Sequence, residues 1–450
     1  MIAAFVGTLA RWMFFLALMI APWFFGGTTA TSIVAINWVL GAAIALWIIE
    51  LALGHRRPVC AKPMVVSVAV LLVLGWWMTL NARSVYDPEF QTFALIENFA
   101  PRAPGSFDYA LSEALMVRVT LLLISILFVV DLVRDEKVLL QLWAVIAIVG
   151  GSISLLGLLQ KAAGAQAIFW QAPMAGYSTN FFATYYYHAN AGAYLNFVLP
   201  FTAGLAVRAF VKPSRPGVRT LWLTVCVLNV AAIAANTSRM AQLIGAKMII
   251  GLLIRFGPRL VRGLTRSEKN VALAGAAAVL FLLFAIAQAS HLEQPLHRWE
   301  SLGDQISADA RWGAAGVALH SLPRAGVLGF GPGTFRAVFP TFVKTGGDSL
   351  SGGWRFLHED YLQTTMEWGW LGSLVWALLF FGGVVVAIGR LRQMRESGWR
   401  QRVILSMSIL ALAGVALHAL VDFPLQIESI QLYVATCLGV CWSSARWRAT

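Results

Sequence analysis

The sequence predicts an all-α polytopic membrane protein of about twelve transmembrane helices, and three observations carry that prediction. Its 450 residues are 59% hydrophobic and only 12% charged, far outside the range of soluble globular domains. Apolar runs long enough to cross a hydrocarbon core of about 30 Å recur along the chain. Lipid offers the backbone no hydrogen-bond partners, so such runs are read as helices that satisfy themselves. The third observation is that basic residues gather in alternate connecting segments.

The spans fall near 12–25, 32–53, 64–80, 113–132, 138–159, 190–209, 219–236, 239–255, 271–289, 368–389, 402–420 and 430–445. With the N-terminus inside, the inner segments hold 22 basic and 6 acidic residues, and the longer outer segments 11 and 15. This bias orients a membrane protein with its basic loops in the cytoplasm. The net charge of +13 therefore reads as orientation and contact with anionic bilayer lipid, with no nucleic-acid partner. Arg11 precedes a short apolar core, as in a signal peptide. The spans that follow make an uncleaved first helix the expectation. Cys60, Cys226, Cys437 and Cys441 form no CxxC pair, so neither a disulfide nor a thiol metal site is expected.

The chain divides into residues 1–289 with nine spans, a polar loop at 290–367, and residues 368–450 with three spans. The loop is long enough for helices of its own. SADARWGAAGVALHSLP (307–323) is expected to be one, capped by Ser307, with Pro323 just beyond its end. GVLGFGPGTF (326–335) reads as a tight irregular stretch, since its glycines and Pro332 sustain neither helix nor strand. It is not a phosphate loop, for no GK[ST] follows.

The residues able to carry chemistry cluster at span ends. Arg239, in ANTSRMAQ (235–242), lies where two spans meet; it either snorkels to headgroups or faces an anion. Lys247 falls near the middle of the same helix and reads as an ion-pair partner. Arg311 opens the loop helix, and Arg324, Arg336 and Arg355 lie further along the loop. RFLHEDYLQ (355–363) sets His358, Glu359 and Asp360 in a row just before a span. Consecutive helical residues point about 100° apart, and there is no HExxH or DxD, so no metal and no cofactor is expected. His358 is either structural or a base working near neutral pH. His418 and Asp422, in HALVDFPLQ (418–426), are spaced for a hydrogen bond at a helix end. His188 and Asn190, in YYYHANAGAYL (185–195), suit an interfacial aromatic belt or a sugar-stacking wall.

Taken in order, these pieces resemble the O-antigen ligase and polymerase superfamily. They are Ser238-Arg239; Arg311-Trp312; Pro323, Gly326, Gly329, Gly331, Pro332, Gly333 and Phe335; then His358, Asp360, Tyr361, Leu362, Gln363, Glu367, Gly369 and Gly372. The resemblance covers roughly residues 155–440. Glu359 stands where the family commonly has Asn, so no role is carried over for that side chain.

The resemblance implies a GT-C-like helical glycosyltransferase of the bacterial inner membrane, with its site in a large periplasmic loop between spans nine and ten. Such enzymes move a glycan from undecaprenyl diphosphate to an acceptor hydroxyl, inverting and without metal. The family's essential residues fall on Arg239, Arg311 and His358. Arg336, Arg355, His188, Asn190, Glu359, Asp360 and Lys247 are further candidates for substrate binding. The acceptor is a glycan or glycolipid. HALVDFPLQ is closer to polymerases than to ligases that use lipid A–core. Transfer to a protein hydroxyl stays open, as do flippase or chain-length-regulator partners. A small-solute transporter is the reading from another class. It calls for midplane charges, and only Lys247 qualifies.

Overall fold

The computed structural model describes residues 1–87, 89–90, 92–171, 180–211, 214–263, 299, 310–343, 350, 353–394 and 399–447. Its helices are α1 (Ile2–Trp23), α2 (Ala30–Leu53), α3 (Lys62–Leu80), α4 (Tyr109–Leu132), α5 (Glu136–Ala162), α6 (His188–Val211), α7 (Pro216–Ala235), α8 (Arg239–Gly263), α9 (Ala310–Ala325), α10 (Phe335–Val343), α11 (Asp360–Gln393), α12 (Trp399–His418) and α13 (Glu428–Ser443). Among the described residues, nine are long and apolar enough to cross a membrane: α1 to α7, α11 and α12. The protein is thus an all-α polytopic membrane protein. Each expected span but the ninth coincides with a helix, and the ninth, 271–289, lies outside the described residues. Helix α13 is short, at 16 residues, and α8 carries several basic residues.

Several consecutive helices pack on each other, among them α1 on α2, α3 on α4, α5 on α6 and α6 on α7. Helix α6 is central and packs against α5, α7, α8 and α12. Its partners approach closely because small residues line the crossings. A Cβ on Gly150 of α5, for example, would lie 2.7 Å from Val198 of α6. Across the bundle α13 packs on α4, and α11 on α3.

One end of the bundle carries the polar segment with α9 and α10, which has a small core of its own. Ala314, Ala318, Leu322, Phe335, Phe339, Leu357 and Met366 are buried together there. Helix α9 continues through Pro323 to Ala325 instead of stopping before the proline. The amide of Gly326 closes the last turn on the Leu322 carbonyl at 3.1 Å, so the missing proline N–H breaks nothing downstream. The expected cap Ser307 lies outside the described residues. A two-stranded hairpin, Ser84–Asp87 with Thr92–Leu95, was not foreseen. The segment after it and the first turn of α4 clamp the glycine-rich stretch: Phe107 N donates to Phe330 O at 2.8 Å, and Ser112 Oγ to Pro332 O at 2.7 Å.

The glycine-rich stretch explains how the polar segment is fixed to the bundle. Helix α11 breaks at Gly369, where φ is 65° and ψ −175°. Residues 326–331 run along the break and take up its backbone groups. Phe330 N donates to Met366 O and Gly331 N to Glu367 O, both at 2.9 Å, and Leu371 N donates to Val327 O at 3.0 Å. The Glu367 carboxylate accepts from Gly333 N at 3.1 Å and Phe335 N at 3.3 Å. The backbones touch so closely that a Cβ on either Gly329 or Gly369 would sit 2.3 Å from the opposing chain. Both positions also have positive φ, so only glycine fits there without strain.

Candidate functional site

Three neighbours in RFLHEDYLQ do three different jobs. Glu359 is the N-cap of α11, its carboxylate accepting from Leu362 N at 2.5 Å. Burial pushes that carboxyl up, against the backbone bonds it accepts. Asp360 is buried and accepts from Leu425 N at 2.8 Å and Gln426 Nε2 at 3.0 Å. It staples the start of α11 to the segment between α12 and α13. His358 has φ of 62°, a left-handed conformation that costs about 1–3 kcal/mol for a residue with a Cβ. The capped helix on one side and the Leu357 N–Gln363 Oε1 bond (3.0 Å) on the other hold it there.

That conformation directs the His358 ring to Asp422. Nδ1 lies 3.1 Å from Asp422 Oδ1. The same oxygen accepts from Phe423 N at 3.0 Å, and Oδ2 accepts from the Tyr187 hydroxyl at 3.2 Å. Arg311 in turn donates to the Tyr187 oxygen at 2.7 Å. A continuous chain therefore runs Arg311–Tyr187–Asp422–His358, joining α9, the approach to α6, the α12–α13 connection and the approach to α11. Aromatic rings pack around it. Phe423 stacks on Tyr187 at 5.5 Å and on Phe356 at 4.4 Å, and His358 meets Phe423 edge-on at 4.7 Å.

The electrostatics assign the protons. Burial alone would raise the Asp422 carboxyl, but the hydrogen bond and charge of His358, with the charges of Arg311 and His418, outweigh it and hold it below the usual range. Asp422 is then ionised at neutral pH. Burial first, and the Asp422 charge second, push the Tyr187 hydroxyl far up, so it stays protonated and donates. With Nδ1–H donating to the carboxylate, Nε2 of His358 carries the lone pair whenever the ring is neutral. Among the described residues Nε2 has no hydrogen-bond partner. The His358 side chain is 22% exposed, against 5% for Asp422. A half-open imidazole backed by a buried carboxylate is suited to take a proton from a hydroxyl.

Arg239 starts α8 on a turn capped by Ser238, whose Oγ accepts from Ala241 N at 3.3 Å. Asn236 ties this turn to the site through its 2.9 Å bond to His188 O. Arg239 thus lies on a turn fastened one residue from Tyr187. His188 and Asn190 are buried rather than forming an open wall. The His188 ring bonds to Asn180 O at 3.2 Å and meets Tyr187 edge-on. Arg336 and Arg355 are exposed on the approach to His358. Lys247 is also exposed and makes no salt bridge among the described residues, so the expected ion pair is not formed.

The expected helix-end bond between His418 and Asp422 is a backbone one, Asp422 N donating to His418 O at 3.1 Å, and their side chains do not pair. Asp422 turns to His358, while both ring nitrogens of His418 are buried without a partner among the described residues. Sequence reasoning placed Tyr187 only among the three tyrosines of an aromatic belt or sugar-stacking wall, and gave Phe423 no role. Among the described residues no cluster of three or more metal-ligating side chains occurs.

The fold and site define a polytopic helical membrane protein with a histidine–aspartate pair and an arginine at one end of its bundle. No family model matches the chain, and no curated protein matches it.

Proposed function

We propose that the protein is a membrane glycosyltransferase that moves a glycan from undecaprenyl diphosphate to an acceptor hydroxyl, with inversion and with arginines meeting the charge of the leaving group. The observation that carries this reading is the Arg311–Tyr187–Asp422–His358 chain. It couples a half-open base to a guanidinium at the end of a lipid-facing bundle. The charge bias of the sequence supports placing this end at the periplasmic face of a bacterial inner membrane. In that reading there are twelve spans, a GT-C-like arrangement and a periplasmic loop at 290–367.

The chemistry follows from the groups present. His358 Nε2 takes the proton of the acceptor hydroxyl as its oxygen attacks the anomeric carbon. The bond from that carbon to the phosphate oxygen breaks on the opposite face, and undecaprenyl diphosphate leaves with the electron pair. Asp422 stabilises the imidazolium. Arg239 and Arg311 offer planar, bidentate donors to the diphosphate oxygens, whose charge grows in the transition state. A donor with its tail in lipid and its glycan in water requires this chemistry at the interface.

HALVDFPLQ favours polymerisation, in which the acceptor is another lipid-linked glycan. The test is purified protein in nanodiscs, given undecaprenyl-diphosphate glycan from the host strain. Acceptors are offered one at a time: the same lipid-linked glycan, lipid A–core, or periplasmic protein. Elongated lipid-linked glycan and released undecaprenyl diphosphate are expected, unchanged by EDTA. No transfer to any of the three acceptors overturns the reading.

A further inference from the structure

The segment over the site has the wrong charge for its surroundings. The outer segments as a whole are net acidic, yet residues 310–359 hold Arg311, Arg324, Arg336, Lys344 and Arg355 against Asp348 and Glu359. Glu359 is spent as a helix cap, and Arg311 is engaged with Tyr187. Arg324 lies over the Phe342 ring and Lys344 falls outside the described residues; of the rest, Arg336 and Arg355 are linked through aromatic contacts. Phe339, one turn after Arg336 on α10, meets Trp354 edge-on at 6.2 Å. Trp354, beside Arg355, meets His358 edge-on at 6.2 Å. The Arg355 guanidinium lies 5.5 Å over the ring of Phe356, which stacks on Phe423.

Both arginines are exposed, and neither makes a salt bridge among the described residues. Partial burial and the charge of Arg355 press the Arg336 guanidinium below its usual range, against the pull of Asp108. The Asp108 charge is the smallest of these influences, and its oxygens accept from Leu111 N at 2.7 Å and Tyr86 N at 2.6 Å, with no salt bridge to Arg336. Two like charges near enough to feel each other, with no salt-bridge partner among the described residues, favour an anion from outside.

We infer that Arg336 and Arg355 form an anion site beside His358 that takes an acidic group, a carboxylate or phosphate, carried by a sugar of the glycan. This rests on the glycan-transfer reading. It adds that the substrate is an acidic polysaccharide, with its charged sugar within reach of the base.

The same arginines facing the donor's diphosphate would be the same chemistry from another source, so the experiment separates the two. Protein in phosphatidylcholine nanodiscs is titrated with hexagalacturonate, maltohexaose and inorganic pyrophosphate. Hexagalacturonate should bind, more weakly as salt rises, and maltohexaose should not. Arg336→Gln and Arg355→Gln should each weaken hexagalacturonate binding about threefold, and together about tenfold. Pyrophosphate binding should survive both and fail in Arg311→Gln. Unchanged hexagalacturonate binding in the double variant overturns the site, as does no binding to the unmodified protein. Loss of pyrophosphate binding in the double variant assigns the pair to the diphosphate instead. None of these readouts needs transfer activity, so failure of the transferase assay is a separate result.

Discussion

The two ends of the bundle each bury an aspartate against arginine, and they do opposite things with it. At the basic end, Asp131 accepts from Trp47 Nε1 at 2.9 Å, from Arg56 at 3.0 and 2.8 Å, and from Arg134 at 2.5 Å. Arg56 also holds Glu50 at 2.5 Å. All of its partners are fixed donors, two of them permanent cations, and the cluster pins α2 to α4. At the other end, Asp422 meets arginine only through a tyrosine, and its other partners are the Phe423 backbone N–H and a histidine in a strained conformation. Saturating a buried carboxylate with permanent cations makes a lock. Leaving one bond to a titratable, partly exposed group, at some cost in backbone strain, is the arrangement the proposed proton transfer needs.

The sharpest way to break the comparison is to remove the histidine. His358→Ala should lower transfer by about 10²-fold or more, the usual worth of general-base assistance. Donor binding, measured by retention of labelled undecaprenyl-diphosphate glycan, should persist because the arginines are untouched. Near-normal rates in His358→Ala would make Asp422 as structural as Asp131. The neighbours Glu359 and Asp360 serve as controls. Both carboxylates are committed to capping and stapling, so Glu359→Gln and Asp360→Asn should lower thermal stability before they alter the pH profile. An abolished rate in a well-folded Glu359→Gln or Asp360→Asn would move the base to that carboxylate.

Asp422→Asn comes next in size. The variant keeps the volume and loses the charge that stabilises the imidazolium. A loss of about tenfold to 10²-fold at the pH plateau is expected, and the acidic limb of the rate profile should move to lower pH. A merely structural aspartate would leave the limb where it was. The stability linkage has its own sign. The folded Asp422 carboxyl is held below its usual range, so its stabilising contribution is complete above the unfolded value of about 3.9. It is lost as pH falls through the depressed native value.

Much of this was legible in the sequence, and the parts that were not share a cause. Helices of twenty apolar residues announce themselves because each satisfies its own backbone, with no distant partner required. His358 stands out as a histidine among charged groups just before a span, whereas Arg311 stands out only through the resemblance. Their partners do not stand out. Asp422 lies 64 residues from His358, and Tyr187 lies 235 from Asp422. Nothing local tells an aspartate to prefer that histidine over His418, four residues away. The positive φ that aims His358 is set by a helix cap on one side and a glutamine bond on the other, and glutamate is an unusual cap. The break at Gly369 was visible only as a glycine in a motif. Its meaning needs the second glycine, at 329, on the facing chain.

Tyr187→Phe sharpens the comparison further, since it removes only the link between Arg311 and Asp422. Two charge-assisted hydrogen bonds are lost, but the Phe423 stack and the His358–Asp422 bond remain. Bonds to charged groups are each worth about 1.5–3 kcal/mol when fully formed, and relaxation and water recover part of that. A three- to tenfold fall in rate is expected, together with weaker pyrophosphate binding as Arg311 loses its anchor. An unchanged pyrophosphate affinity would show that the tyrosine does not position the arginine.

Asp131→Asn should have the smallest effect on chemistry and completes the contrast. The change leaves Arg56 and Arg134 facing each other across a neutral amide at the far end of the bundle. Both guanidinium groups are about a third exposed or more, at 34% and 44%, so solvent screens much of their repulsion. The net destabilisation should be about 1–3 kcal/mol, read as a lower melting temperature in detergent. The transfer rate and its pH limb should match the unmodified protein, because no element carries charge from α2 to His358. A shifted pH limb in Asp131→Asn would mean that the two carboxylates are coupled through the bundle, and the division into a lock and a proton-handling site would fail.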